Sequence, residues 1–138
     1  MPFPAVTDGL QMQPTFQGVA QGARTIKNVS VDTTLTQAES GSIILVVGST
    51  GAVNITLPAI TKGKPFEFEI INCSDQNLTV TAETADTINT YNDLAADSVA
   101  FSTASEKIGG AFRVVCDGVT LCVLARPATI YQTVTIAT

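Results

Sequence analysis

Phe112-Arg113-Val114-Val115-Cys116-Asp117-Gly118-Val119-Thr120-Leu121-Cys122-Val123 decides the fold class of this chain. Two runs of β-branched and apolar residues flank Asp-Gly, the pair that supplies both positive-φ positions of a type I′ turn. Counting outward from that turn sets Cys116 opposite Val119, Val114 opposite Leu121 and Phe112 opposite Val123. Side chains alternate with period 2 along a strand, so these six share one face. Arg113, Val115, Thr120, Cys122 and Leu124 take the other, which is less apolar without being fully polar. A sheet buried on one side and partly covered on the other predicts packing against a further layer or another subunit.

The same pattern extends upstream. Thr25 to Val31 alternates imperfectly, with room for a bulge at Lys27-Asn28. A short Thr34-Leu35-Thr36 segment leads into the turn-like Glu39-Ser40-Gly41, and Ile43 to Val47 is a continuous apolar run, as in a strand covered on both faces. Val53 to Leu57 alternates cleanly until Pro58, which has no ladder donor. Phe66, Phe68 and Ile70 alternate with Glu67 and Glu69, and Leu78 to Thr81 follows a Ser-Asp-Gln-Asn turn. Weaker strands are expected around Thr87-Ile88-Asn89 and Ser98 to Thr103, and a last one from Ile130 to Ala137, internal or donated to a neighbouring subunit. The single helix candidate, Asn92 to Ala96, is too short to stand alone. Eight to ten short strands with closely spaced turns predict an all-β fold, an antiparallel β-sandwich or jelly-roll-like barrel with an extended N-terminal arm.

Three segments follow: an arm over 1–24, a β-sandwich over 25–125 and a C-terminal strand or tail over 126–138. In the arm, Pro2, Pro4 and Pro14 interleave with Gly9, Gly18 and Gly22, which argues against regular structure. A disordered end and an extended arm anchoring on a partner both fit this composition. Two phenylalanines and a leucine favour the anchor, and Phe3, Val6, Leu10, Met12 and Phe16 are its contact candidates.

Composition narrows the function. At 138 residues, 45% of them hydrophobic, the chain can bury about two-thirds of its unfolded surface as one domain. Only 14% of residues are charged, against about 25% in an ordinary soluble domain, and twenty threonines face four lysines. So weakly charged a β-protein is protected by closure or by oligomerisation, because bare sheet edges aggregate. A net charge of −5 with scattered basic residues opposes nucleic-acid binding. No histidine is present, which removes the commonest general acid/base and the commonest metal ligand. Cys73, Cys116 and Cys122 match no zinc spacing, and the hairpin register above puts Cys116 and Cys122 on opposite faces, so they read as free thiols of a reducing compartment. Met1-Pro2-Phe3-Pro4 begins neither a signal peptide nor a membrane span.

Local motifs have plain structural explanations. Glu67 and Glu69 could form a carboxylate pair, yet Phe66, Phe68 and Ile70 on the other face make them the solvated side of a strand. Asp86, Asp93 and Asp97 could offer oxygens to calcium, but no repeat orders them and turn formation accounts for them. Asn28, Asn54 and Asn77 begin glycosylation triplets without a secretion signal, Gly109-Gly110 precedes a strand instead of a helix, and Tyr91 and Tyr131 are isolated aromatics. No catalytic residue, cofactor or metal site is expected.

One longer order of motifs carries a resemblance. Thr34 to Gly41, Ile55-Thr56-Leu57-Pro58-Ala59, Lys62-Gly63-Lys64-Pro65-Phe66-Glu67-Phe68, Ile71-Asn72, Leu78 to Ala82, Asp86-Thr87-Ile88-Asn89 and Asp117-Gly118 follow one another over roughly residues 33 to 125. This order resembles a β-sandwich module of tailed-bacteriophage virion proteins, notably capsid decoration (cement) proteins and head or tail fibres. Such modules often carry an aromatic residue, commonly Trp, just past the Asp-Gly turn, where this chain has Val119, Leu121 and Val123. The resemblance implies a non-enzymatic virion component, made in the host cytoplasm and placed on the capsid exterior. Its partners would be the major capsid protein and sister subunits, as a homotrimer, with no nucleic acid or membrane. The alternatives are a head or tail fibre, baseplate or spike subunit with a receptor-binding role, and a small carbohydrate-binding or adhesin sandwich.

Overall fold

The computed structural model describes residues 24–119 and 132–138, together with the backbone of 122–125. The strands are β1 (Ile26–Val29), β2 (Thr33–Thr34), β3 (Ile43–Val46), β4 (Val53–Thr56), β5 (Phe66–Asn72), β6 (Leu78–Thr81), β7 (Ile88–Thr90), β8 (Asp93–Ala96), β9 (Ser98–Phe101), β10 (Ala111–Cys116), β11 (Cys122–Ala125) and β12 (Thr135–Ala137). A single 3-10 turn, Gln37–Glu39, is the one helical element among the described residues, so the chain is all-β there.

The strands form two sheets, β1-β3-β5-β10-β11-β7-β8 and β12-β9-β6-β4-β2. Through β6 the chain alternates between them. β1, β3 and β5 stack in parallel in the first sheet, and β2, β4 and β6 stack in parallel in the second. Each parallel crossover, which elsewhere needs a helix, is made here by a strand of the opposite sheet. The second half closes these stacks in antiparallel fashion, β10 against β5 and β9 against β6. β11 then pairs with β10, and β12 with β9 of the same chain.

β5 shows why the layers hold. Phe66, Phe68, Ile70 and Asn72 are buried, while Glu67, Glu69 and Ile71 alternate outward. The buried faces of both sheets feed one hydrophobic cluster: Ile44, Phe68, Ile70, Phe112 and Val114 from the first meet Ile55, Leu78, Val80, Val99 and Phe101 from the second. Phe101 stacks on Phe112 across it, with ring centroids 4.3 Å apart and planes 17° from parallel. Asn72 is buried but satisfied: its side-chain oxygen accepts from the Ser74 N–H and hydroxyl, and its amide donates to the Gln76 carbonyl.

Three expectations change. First, the sheets are mixed, not antiparallel, since five of the ten described strand pairings are parallel. The turns after β1 and β3 carry the chain to the other sheet instead of reversing it beside its neighbour, and Asp32 accepts the Asn54 N–H to fix the first of them. Neither sheet closes on itself within the described residues, so no barrel forms there. Second, Asn92 to Ala96 is not helical. β7 and β8 are joined through Tyr91 and Asn92 at φ 40° and 70°, the two positive values a type I′ turn demands.

Third, the Asp117-Gly118 hairpin has a different register. Cys116 is opposite Cys122 and Val114 opposite Leu124, with residues 117–121 as the connection. Gly118 is at φ 77°, but Asp117 lacks the positive φ a two-residue type I′ turn requires. Asp117 instead accepts the Val119 N–H at 2.8 Å, and the Gly118 carbonyl accepts the Gly63 N–H at 2.9 Å. The neighbouring 61–65 loop is thus bonded to the connection at Gly118. On β10 itself the expected faces stand: Phe112, Val114 and Cys116 are buried, and Arg113 and Val115 are exposed.

Candidate functional site

The arm candidates Phe3, Val6, Leu10, Met12 and Phe16 lie outside the described residues. What the structure offers in their place is two sheet surfaces. On the outer face of the first sheet, Ile43, Glu69 and Arg113 form one row across β3, β5 and β10, and Leu45, Ile71 and Ala111 form the next. Glu67 and Val115 make a third row, in which Val115 is 39% exposed. The carboxylates do not face each other across a cleft. Glu69 is 3.3 Å from the Arg24 guanidinium and Glu67 is 3.6 Å from that of Arg113. Two acids and two bases leave the part of this face across β3, β5 and β10 neutral and partly apolar, in a chain whose net charge is −5.

The outer face of the second sheet has another character. Thr34, Thr56, Thr81 and Ser98 line up across β2, β4, β6 and β9, beside a row of Asn54, Thr79, Ala100 and Thr135. The Asn54 side chain accepts from the Thr81 hydroxyl at 2.5 Å and donates to the Thr56 hydroxyl at 3.3 Å. Ser102 and Thr135 share a further hydrogen bond of 3.0 Å. These two rows are uncharged, and Asn54 links them through its bonds to Thr56 and Thr81. The acids gather instead in turns and at edges.

There aspartate carboxylates cap backbone donors: Asp86 accepts the Ile60 N–H at 2.8 Å, whereas Asp97 takes part through its own N–H, which donates to the Ala137 carbonyl at 2.7 Å. Asp93 accepts from the Thr138 hydroxyl and the Ala95 N–H, and these bonds hold its carboxyl below the usual carboxylate range. At the β1 edge, the Lys27 ammonium binds Glu39 and lowers its carboxyl in the same way, with the Thr36 N–H and hydroxyl assisting. Among the described residues, no group of three or more His, Cys, Asp or Glu could hold a metal ion. Cys73 is exposed and Cys116 is buried. Gly110 lies beneath Phe101, where a Cβ would come within 2.7 Å of the ring, so it serves close packing at the entry to β10, while Gly109 supplies a positive φ of 84°.

The outer face of β10 was read from sequence as a partly covered packing surface, but the cancelling charges on it were not, and the division into two sheets leaves its own trace. The strands β1, β3 and β5 contain no threonine, while β2, β4 and β6 each contain one or two. Alternation between two strand compositions is what a chain shuttling between two sheets leaves behind. No described helix is long and apolar enough to cross a membrane. In comparisons with known proteins, no family model matches the chain and no curated protein is significantly similar to it.

Proposed function

We propose that this chain is a structural component of a tailed-bacteriophage virion: a capsid decoration protein whose two-sheet, sandwich-like body assembles as a homotrimer on the shell of major capsid protein. One observation carries the reading. Across β3, β5 and β10 the outer face of the first sheet is partly apolar and its charges cancel in two ion pairs, while the chain as a whole carries −5. Copies with like net charge repel, so the surface on which they meet with least cost is one whose charges already cancel. A cement subunit works by contact: it binds the assembled shell over the dissociated one and shifts that equilibrium by mass action. The role is non-enzymatic and takes place on the capsid exterior, after synthesis in the host cytoplasm.

Analytical ultracentrifugation of the full chain tests the assembly. A trimer at low micromolar concentration is expected, and Val115→Glu, which adds an acid to the neutral face, is expected to yield monomer. A wild-type monomer overturns the reading. Replacing Phe3 and Phe16 by Ser in the full chain should abolish binding to empty shells, and retained binding would remove the arm from the mechanism.

A fibre, baseplate or spike role is the second reading. It is favoured by the outermost strands β1 and β2, which end the two parallel stacks and could accept further parallel strands. Immunogold labelling of virions separates the two, since decoration covers the head and fibres mark discrete points.

A further inference from the structure

We propose that Cys116 and Cys122 are a redox pair whose disulfide staples the β10–β11 hairpin. The two residues are directly opposed partners in the antiparallel ladder of β10 and β11. Directly opposed residues rise from the same face of a sheet, which removes the objection raised by a two-residue turn.

The phase of the neighbouring ladder shows which kind of pair this is. The Asn72 N–H donates to the Gly110 carbonyl at 2.8 Å, one step beyond the Ile71–Ala111 pairing. In an antiparallel ladder, bonded and non-bonded pairs alternate. Ile70 with Phe112, Phe68 with Val114 and Phe66 with Cys116 therefore exchange their backbone hydrogen bonds. The Cys116 N–H and C=O both point toward β5, so Cys116 and Cys122 face each other as a non-hydrogen-bonded pair. That is the closer class, with Cα atoms about 4.5 Å apart. The spacing falls within the range of roughly 4.4–6.8 Å that disulfides span.

The surroundings hold this register. Gly118 is pinned to the 61–65 loop through the Gly63 N–H, and the Gly118 N–H donates to the Cys116 sulfur at 3.4 Å. Cys116 is 1% exposed. Within such a bond the Cys116 sulfur is shielded from attack by external thiols, since exchange depends on access as well as thiolate character. The third thiol, Cys73, is exposed and lies outside the pair.

The oxidant is a small-molecule disulfide. One thiolate of the pair attacks it, releases one equivalent of the small thiol and leaves a mixed disulfide. The second thiolate displaces the other equivalent and closes the intramolecular bond. Two protein thiols are oxidised and one small disulfide is reduced to two thiols, with both protons passing to solvent or to the released thiolates. The pairing does not rest on the capsid reading.

The test uses the full chain carrying Cys73→Ser, equilibrated with mixtures of reduced and oxidised glutathione. Equilibrium is approached both from the folded, reduced protein and from refolding, and samples are acid-quenched, alkylated in denaturant and weighed. The oxidised product should take up no alkylating agent, weigh two hydrogens less and give a peptide linking 116 to 122. Its equilibrium constant should exceed that of the same chain in denaturant by at least about tenfold, a reduction potential about 30 mV more negative. An equal or smaller constant in the folded chain, or glutathione adducts on both cysteines, overturns the proposal. Cys122→Ser in the otherwise native chain should leave Cys73 and Cys116 both alkylatable, and a bond between those two would overturn it as well.

Discussion

Replacing Gly118 by alanine probes the connection that sets the β10–β11 register. Two costs add. At φ 77° an L-residue gives up about 1–2 kcal/mol relative to glycine. The new Cβ would also sit 2.8 Å from the Pro65 nitrogen and 3.0 Å from Lys64 backbone atoms. Those are main-chain atoms, so relief requires moving the 61–65 loop, with an overpacking cost of about 1–3 kcal/mol. Gly48 is the control: its φ is 68°, yet a Cβ added there would meet nothing within 4 Å, so Gly48→Ala bears the conformational cost alone. Urea unfolding should place Gly118→Ala below Gly48→Ala by about 1–3 kcal/mol with an unchanged m-value. Equal destabilisation would refute the packing of this connection against the 61–65 loop, and with it the register that opposes Cys116 to Cys122.

Two further outcomes are expected. Phe101→Ala and Phe112→Ala should each cost about 3–5 kcal/mol, and a double-mutant cycle should return a coupling of about 0.5–1.5 kcal/mol for their stacking, measured by urea unfolding. Glu39 has its folded pKa lowered by Lys27, so its contribution is fully present above the ordinary value of 4.5 and is lost as pH falls through the lowered one. The stability gap between wild type and Glu39→Gln, followed by urea midpoints across that window, should shrink on acidification.

Much of the strand inventory was legible because burial writes itself as period 2. Phe66, Phe68 and Ile70 against Glu67 and Glu69 admit one assignment, and Val53 to Leu57 admits another equally plain one. Apart from the antiparallel β10–β11 hairpin, pairing was not legible, because a strand's own alternation says which face is buried and nothing about its neighbour. Parallel stacks depend on where a turn delivers the chain, and the Asp32 bond that directs the first crossing joins residues far apart in sequence. The Asp-Gly dipeptide misled for a related reason: a tertiary contact with Gly63 outweighs local turn preference, whereas Tyr91-Asn92 makes the tight turn without the favoured glycine. Of the site, Glu67 and Glu69 were correctly placed on an outer face, but their arginine partners emerge only once β1, β3, β5 and β10 are assembled in one sheet.

The order in which the first sheet is completed bears on biosynthesis. β5 receives β3 on one side from residues that leave the ribosome before it, and waits for β10 on the other, some forty positions later in the chain. Until that segment is translated, the nascent protein presents a seven-residue border of phenylalanine and isoleucine with open amides and carbonyls. Glu67 and Glu69, spaced along that border, are the charges that would discourage two growing polypeptides from zipping together there.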